Sequence, residues 1–153
     1  MEGLDEEAEE AALSFQNRLN PPFEEEKKTN HSSGSCLTAS LIKEIVKLNL
    51  QIERISNGQV KNIDYSNLET ESCIRFLIEP NDGLWEGGAW EFKVVFPDDY
   101  PNCPPKVMCE SDYLLHPHIS ASYGDICFNL LNSEWNSGCR IVDIIMGMLF
   151  LFY

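Results

Sequence analysis

The stretch HPHISASYGDICFNLL, residues 116–131, decides how the rest of the chain is read. At its centre stands Cys127, three residues after Gly124, with two imidazoles upstream, His116 and His118, held apart by Pro117. A lone cysteine is weak evidence, because free thiols are among the most buried side chains. A cysteine in a loop of glycine and serine, between turn residues and an apolar segment, has the setting of an exposed nucleophile. On these residues alone both readings stand, a structural thiol and a reactive one.

Working outward, FKVVFPDDYPNCPPKV occupies residues 92–107, and Trp135 follows the cysteine. In order and spacing, these segments together with His116-Pro117 and Gly124-Asp125-Ile126-Cys127 resemble the ubiquitin-conjugating enzymes. That family carries FxVxFPxxYPxxPPKV, HPN, GxIC and a later Trp. The similarity covers about the last two-thirds of the chain, and several short motifs in register are more specific than any one of them.

The residues also set out local structure directly. In LTASLIKEIVKLNL, residues 37–50, Leu37, Leu41, Ile45 and Leu48 recur at helical spacing, while Lys43, Glu44 and Lys47 fall on other faces. Residues 52–63 hold a turn at Asn57-Gly58 and enough β-branched residues for a first strand. Period-two alternation over 72–79 and 90–96 predicts two more strands, joined by the turn-rich PNDGLWEGG, and 106–109 a fourth. The result is an α+β fold: a helix, a four-stranded antiparallel meander, a loop carrying Cys127, then a helix within 141–152. That last segment is apolar almost all round, which predicts a buried helix. The resemblance implies a UBC-like fold with two further helices beyond it, which the given sequence does not contain. Either the sequence is a piece of a longer one, or this helix presents an uncovered apolar flank.

Residues 1–36 are rich in Glu, Asn, Ser and Pro, a composition that predicts a disordered acidic extension ahead of one core domain at 37–153. Within it, Leu13, Phe15 and Leu19 are either scattered apolar residues or a short docking peptide. The net charge of −14 opposes nucleic-acid or anionic-membrane binding and suits basic protein partners. Six cysteines form no CxxC pair and the acidic start shows no signal-peptide pattern, so reduced thiols in cytosol or nucleus are expected. The apolar run 141–153 is shorter than the roughly 20 residues a bilayer requires.

The resemblance implies a definite chemistry. A modifier, ubiquitin or a ubiquitin-like protein, is carried as a thioester on Cys127 and passed to an amine of a protein substrate. Because the acyl group arrives activated, no acid-base triad and no cofactor is expected; ATP is used by the upstream activating enzyme. A thiolate suits the task, since it attacks a thioester readily and is displaced readily. Asp125, two residues from Cys127, either disfavours the thiolate or sits solvated in the loop. The family's oxyanion donor is the Asn of HPN, and His118 stands in its place; an imidazole can also donate, with a charge that changes near pH ~6.5. The same HPH variation occurs in the branch that modifies N-terminal α-amino groups, which keeps that acceptor open. His116 is expected to brace the loop through a ring hydrogen bond.

A zinc site built from His116, His118 and Cys127 lacks a well-spaced fourth ligand, so no metal is expected. The resemblance also gives Lys43, Lys47 and Phe15 a role in docking the activating enzyme. The positions that meet a RING-type ligase hold Asn102 and the run Asn136-Ser137-Gly138 here, which departs from the family's apolar residue and Pro-containing loop. Trp135 is expected in the core. SLIKEIVKLNL, KVMCES, ICFNLL with SEW, and IIMGMLFLF look most like the neddylation branch, which implies a cullin-type substrate. The alternative is a non-catalytic UBC-like module that recognises ubiquitin-like proteins or conjugation machinery.

Overall fold

The structure, a computed structural model, describes residues 39–153. The proposed boundary near residue 36 and the island Leu13, Phe15 and Leu19 lie outside the described residues. Helix α1 spans Ala39–Ile55 and buries Leu41, Ile42, Ile45, Val46, Leu48 and Ile52 along one stripe. It therefore runs five residues past the expected 37–50, because Ile52 extends the same i+4 series and is buried at 6% exposure. Asn57 and Gly58 in left-handed backbone stop it, and Gly58 N–H closes back on the Glu53 carbonyl at 2.8 Å. The first strand accordingly starts late, as β1 at Val60–Asp64.

Strands β2 (Cys73–Ile78), β3 (Trp90–Val95) and β4 (Lys106–Cys109) follow. They pair in the order β1-β2-β3-β4, all antiparallel, which is the expected meander. The register sets Ile74 opposite Val94, Phe76 opposite Phe92, and Val94 opposite Val107. Period-two alternation places these on one face, where all five are buried. The Phe76 and Phe92 rings stack at 5.8 Å. The opposite face carries Arg75 paired with Glu110 at 2.8 Å and Lys93 with Glu71 at 3.0 Å. A one-turn helix α2, Leu68–Glu71, interrupts the β1–β2 connection and drops Leu68 into the core.

Helix α3 is Ile141–Phe150, with a turn at residues 151–152. The helix expected to be buried is so along one face only: Ile141, Ile144, Ile145, Met148 and Leu149 enter the core shared with α1 and the sheet. On the other flank Phe150 is 75% exposed, and Val142 and Met146 are half-buried. Phe152, fully buried, plugs the far end of the sheet and meets the rings of Trp85, Trp90, Phe92 and His116. No helix among the described residues is long and apolar enough to cross a membrane.

Candidate active site

The loop at 116–127 folds back on itself as a two-rung ladder. Ile119 bridges Ile126, Cys127 N–H donates to the His118 carbonyl at 2.8 Å, and Ser120 N–H donates to the Asp125 carbonyl at 2.8 Å. The backbone of Cys127 is thereby held against that of His118, which lies in a tight turn closed by Ile119 N–H on the His116 carbonyl at 3.1 Å. By alternation Ser120 and Asp125 lie on the same face as Cys127, while Ile119 turns inward and is buried. Cys127, His118 and Asp125 are all exposed. The thiol is thus presented at the surface, and the buried-thiol reading does not describe it.

Two attachments hold this shelf. At the Gly124 end, Met108 of β4 bridges Asp125 and Cys109 N–H donates to the Gly124 carbonyl at 2.9 Å. The segment thereby extends the sheet at the outer edge of β4. Gly124 has φ +66°, and a Cβ there would meet the Cys109 carbonyl oxygen at 2.1 Å. Glycine is required twice over, by backbone conformation and by close approach.

At the other end the buried His116 ring bridges two backbone groups. Its Nδ1 accepts from His118 N–H at 3.0 Å, so Nε2 carries the proton and donates to the Leu151 carbonyl at 2.7 Å. Trp85 packs over the ring at 4.6 Å and anchors itself by donating Nε1–H to the Leu115 carbonyl. After Cys127, the Phe128 ring lies against α3 where Gly147 leaves room, a Cβ there falling 2.2 Å from the ring. Asp125 pairs with Lys106 at 3.7 Å, both well exposed. Among the described residues no group of three or more His, Cys, Asp or Glu forms a metal site.

The other predicted residues lie away from the thiol. Lys43 and Lys47 are exposed on α1 and line a groove of about 270 Å³ together with Arg140 and Val142. Asn102 and Ser137 are exposed on two loops that are joined to each other: Trp135, half-buried, donates Nε1–H to the Pro101 carbonyl at 3.0 Å and its ring meets Tyr100. Phe15 lies outside the described residues.

Helical spacing sets Glu44 off the apolar stripe of α1, yet it is half-buried. It accepts from Tyr100 Oη–H at 2.9 Å and from Ile141 N–H at 3.3 Å at the start of α3, with Arg140 Nε at 3.6 Å. Burial raises its carboxyl above the usual range despite these bonds, and the Tyr100 phenol is also pushed up, by burial and by the Glu44 charge. Between the unfolded and the folded pKa of Glu44, the folded chain holds a proton that the unfolded chain has released. Relative to Glu44→Gln, the wild-type protein is most stable below pH ~4.5 and loses ground as pH rises through the folded pKa. Denaturant midpoints of both proteins at pH 4 and pH 7 should show the difference moving towards the Gln variant at the higher pH; a constant difference would refute the burial argument.

The fold and site together define an α+β domain of the UBC-like kind, with an exposed cysteine on a ladder at the sheet edge. The family model described as ubiquitin-conjugating enzyme matches residues 40–153, and the chain belongs to that family. It is 38% identical over 90 residues to the NEDD8-conjugating enzyme UBC12 of Eremothecium gossypii, covering 59% of this chain and 48% of that protein. It is 33% identical over 123 residues to the NEDD8-conjugating enzyme UBC12 of Kluyveromyces lactis, covering 78% of this chain and 65% of that protein. The chain thus spans about half to two-thirds of the length of these relatives. The solved structure of S. cerevisiae Ubc12 superposes with a TM-score of 0.64 at 24% identity, covering 97% of this chain and 73% of that one, which supports the shared fold.

Proposed function

We propose that this protein carries a ubiquitin-like modifier as a thioester on Cys127 and transfers it to an amine of a protein substrate, as a conjugating enzyme of the neddylation type. The observation that carries this reading is the exposed Cys127, its backbone bonded to that of His118, on a ladder fixed at both ends. The relatives named as NEDD8-conjugating enzymes support the choice of modifier. In loading, the Cys127 sulfur attacks the activated carbonyl carbon of the incoming thioester, and the partner's thiolate leaves. In discharge, the acceptor nitrogen attacks, the Cys127 sulfur departs, and the amine proton passes to solvent. His118 Nε2–H or Nδ1–H, across the ladder, is the donor for the oxyanion formed between these events. Asp125 shares that face and His116 braces it.

The activating enzyme approaches the face bearing Lys43 and Lys47, with Phe15 as a second contact, and a RING-type ligase approaches the joined loops bearing Asn102 and Ser137. A cullin-type protein is the acceptor. No cofactor is needed, ATP being consumed by the activating enzyme, and a cytosolic or nuclear setting suits a chain with six cysteines and no CxxC pair. The second reading, a non-catalytic binding module, is favoured by His118 at the family's Asn position and by the polar ligase loops.

One assay separates them. Incubation with activating enzyme, ATP and NEDD8 should give an adduct on a non-reducing gel that thiol reductant removes and Cys127→Ser lacks. Discharge from loaded Cys127 to amines should then change in rate in His118→Asn, the variant that carries the family's own oxyanion donor. Absence of any thiol-sensitive adduct would select the binding module.

A further inference from the structure

We propose that the cleft between residues 110–114 and 119–124 receives a lysine or arginine side chain of the acceptor protein, beside the modifier held on Cys127. This rests on the carrier reading of Cys127 and adds the chemistry of the acceptor to it. The cleft has a volume of about 230 Å³ and is lined mainly by polar groups, among them Ser111, Asp112, Ser120 and Tyr123. That is below the roughly 300 Å³ at which small-molecule sites begin, and suits a single side chain entering from outside.

Its chemistry selects a cation. Asp112 is exposed and has no ion-pair partner among the described residues, whereas Glu110 is engaged by Arg75 and Asp125 by Lys106. Two phenol rings flank the cleft, Tyr113 at 97% and Tyr123 at 80% exposure. Tyr113 has φ +66°, a left-handed state that a bulky residue rarely adopts and that the fold maintains without burying the ring. Aromatic faces beside a carboxylate attract ammonium and guanidinium groups. From residue 107 to residue 139 the chain holds no Lys or Arg, while Glu110, Asp112, Asp125 and Glu134 all fall in that span. The approach to Cys127 is therefore negative, in keeping with the charge of the whole chain.

Position ties the cleft to the reaction. Ser120 faces Asp125 two residues along the ladder from the His118–Cys127 pair, roughly 7 Å away. A side chain seated there belongs to a residue one to three positions from the acceptor amine. The site would thus choose which lysine of an acceptor is used, by its basic neighbour.

The test uses the full chain and two probes, acetyl-Gly-Arg-Gly-Gly-amide and its Glu counterpart. Titration into the ¹⁵N-labelled protein should give saturable amide shifts at residues 111–113 and 120–124 with the arginine peptide alone. Asp112→Asn and Tyr123→Leu should each weaken binding about five-fold. Equal response to the Glu peptide, shifts confined to other regions, no saturable shifts at all, or unchanged affinity in both variants would overturn the proposal. In single-turnover discharge from loaded Cys127, acetyl-Arg-Gly-Lys-amide should react about five-fold faster than acetyl-Glu-Gly-Lys-amide, with the gap closing in Asp112→Asn. A failure of Cys127 to load counts against the carrier reading, while the titration of the unloaded protein still decides the cleft.

Discussion

Gly124→Ala is expected to destabilise the protein by more than about 3 kcal/mol, or to displace the catalytic loop so far that loading of Cys127 falls at least about ten-fold. Two costs add. An alanine at φ +66° loses about 1 kcal/mol relative to glycine, and its Cβ would stand 2.1 Å from the Cys109 carbonyl oxygen. That oxygen belongs to β4 backbone, which the β3 pairing holds in place, so no flexible side-chain end can yield. Gly58→Ala is the control. Gly58 has φ +71° and open space for a methyl group, with nothing within 4 Å of an added Cβ, so only the conformational cost of about 1 kcal/mol is expected. Urea midpoints of the two variants measure the gap; if they coincide, the contact with Cys109 is not what demands glycine in the loop.

His116→Ala should cost about 3–5 kcal/mol. It strands the half-buried Leu151 carbonyl, worth about 1–3 kcal/mol when left without a partner, and releases the N–H of the exposed His118 to water. It also opens a hole beside Trp85 and Phe152. The adjacent Leu115→Ala, at a side chain 79% exposed, should change stability by no more than about 0.5 kcal/mol. Because His118 loses its backbone anchor, transfer from loaded protein should slow more than the loss of folded material explains. Equal midpoints for the two variants would show that the ring does not hold the loop.

Much of this architecture is legible in the sequence because its signals are periodic. The i+4 series of α1 and the alternation of Ile74, Phe76 and Ile78 report which faces turn inward, and the four-stranded meander follows from them. The end of α1 differs from expectation because Ile52, β-branched and close to a turn, fits a strand as well as it fits the next step of the helical series. A four-residue helix such as Leu68–Glu71 has no room for periodicity and leaves no trace.

The exposure of Cys127 can be suspected from glycine and turn residues, but its partners cannot. His116 bonds a backbone carbonyl 35 residues away, and Glu44 bonds a backbone N–H 97 residues away. Every residue offers such groups, so sequence carries no mark of which one will be chosen. The cleft at Asp112 and Tyr113 is hidden for a related reason, since the left-handed turn that shapes it occurs at a tyrosine, where nothing in the residue type announces it.

The double attachment of the Cys127 ladder, to β4 on one side and through His116 to the end of α3 on the other, has a consequence for molecular encounter. A sulfur mounted like a plank nailed at both ends has little freedom to swing towards an incoming tail. On the carrier reading proposed above, an incoming partner brings its carbonyl to a fixed address, and the ordering entropy has already been settled in folding rather than at each meeting. Selectivity then resides in the shape and charge of the ground leading up to that address.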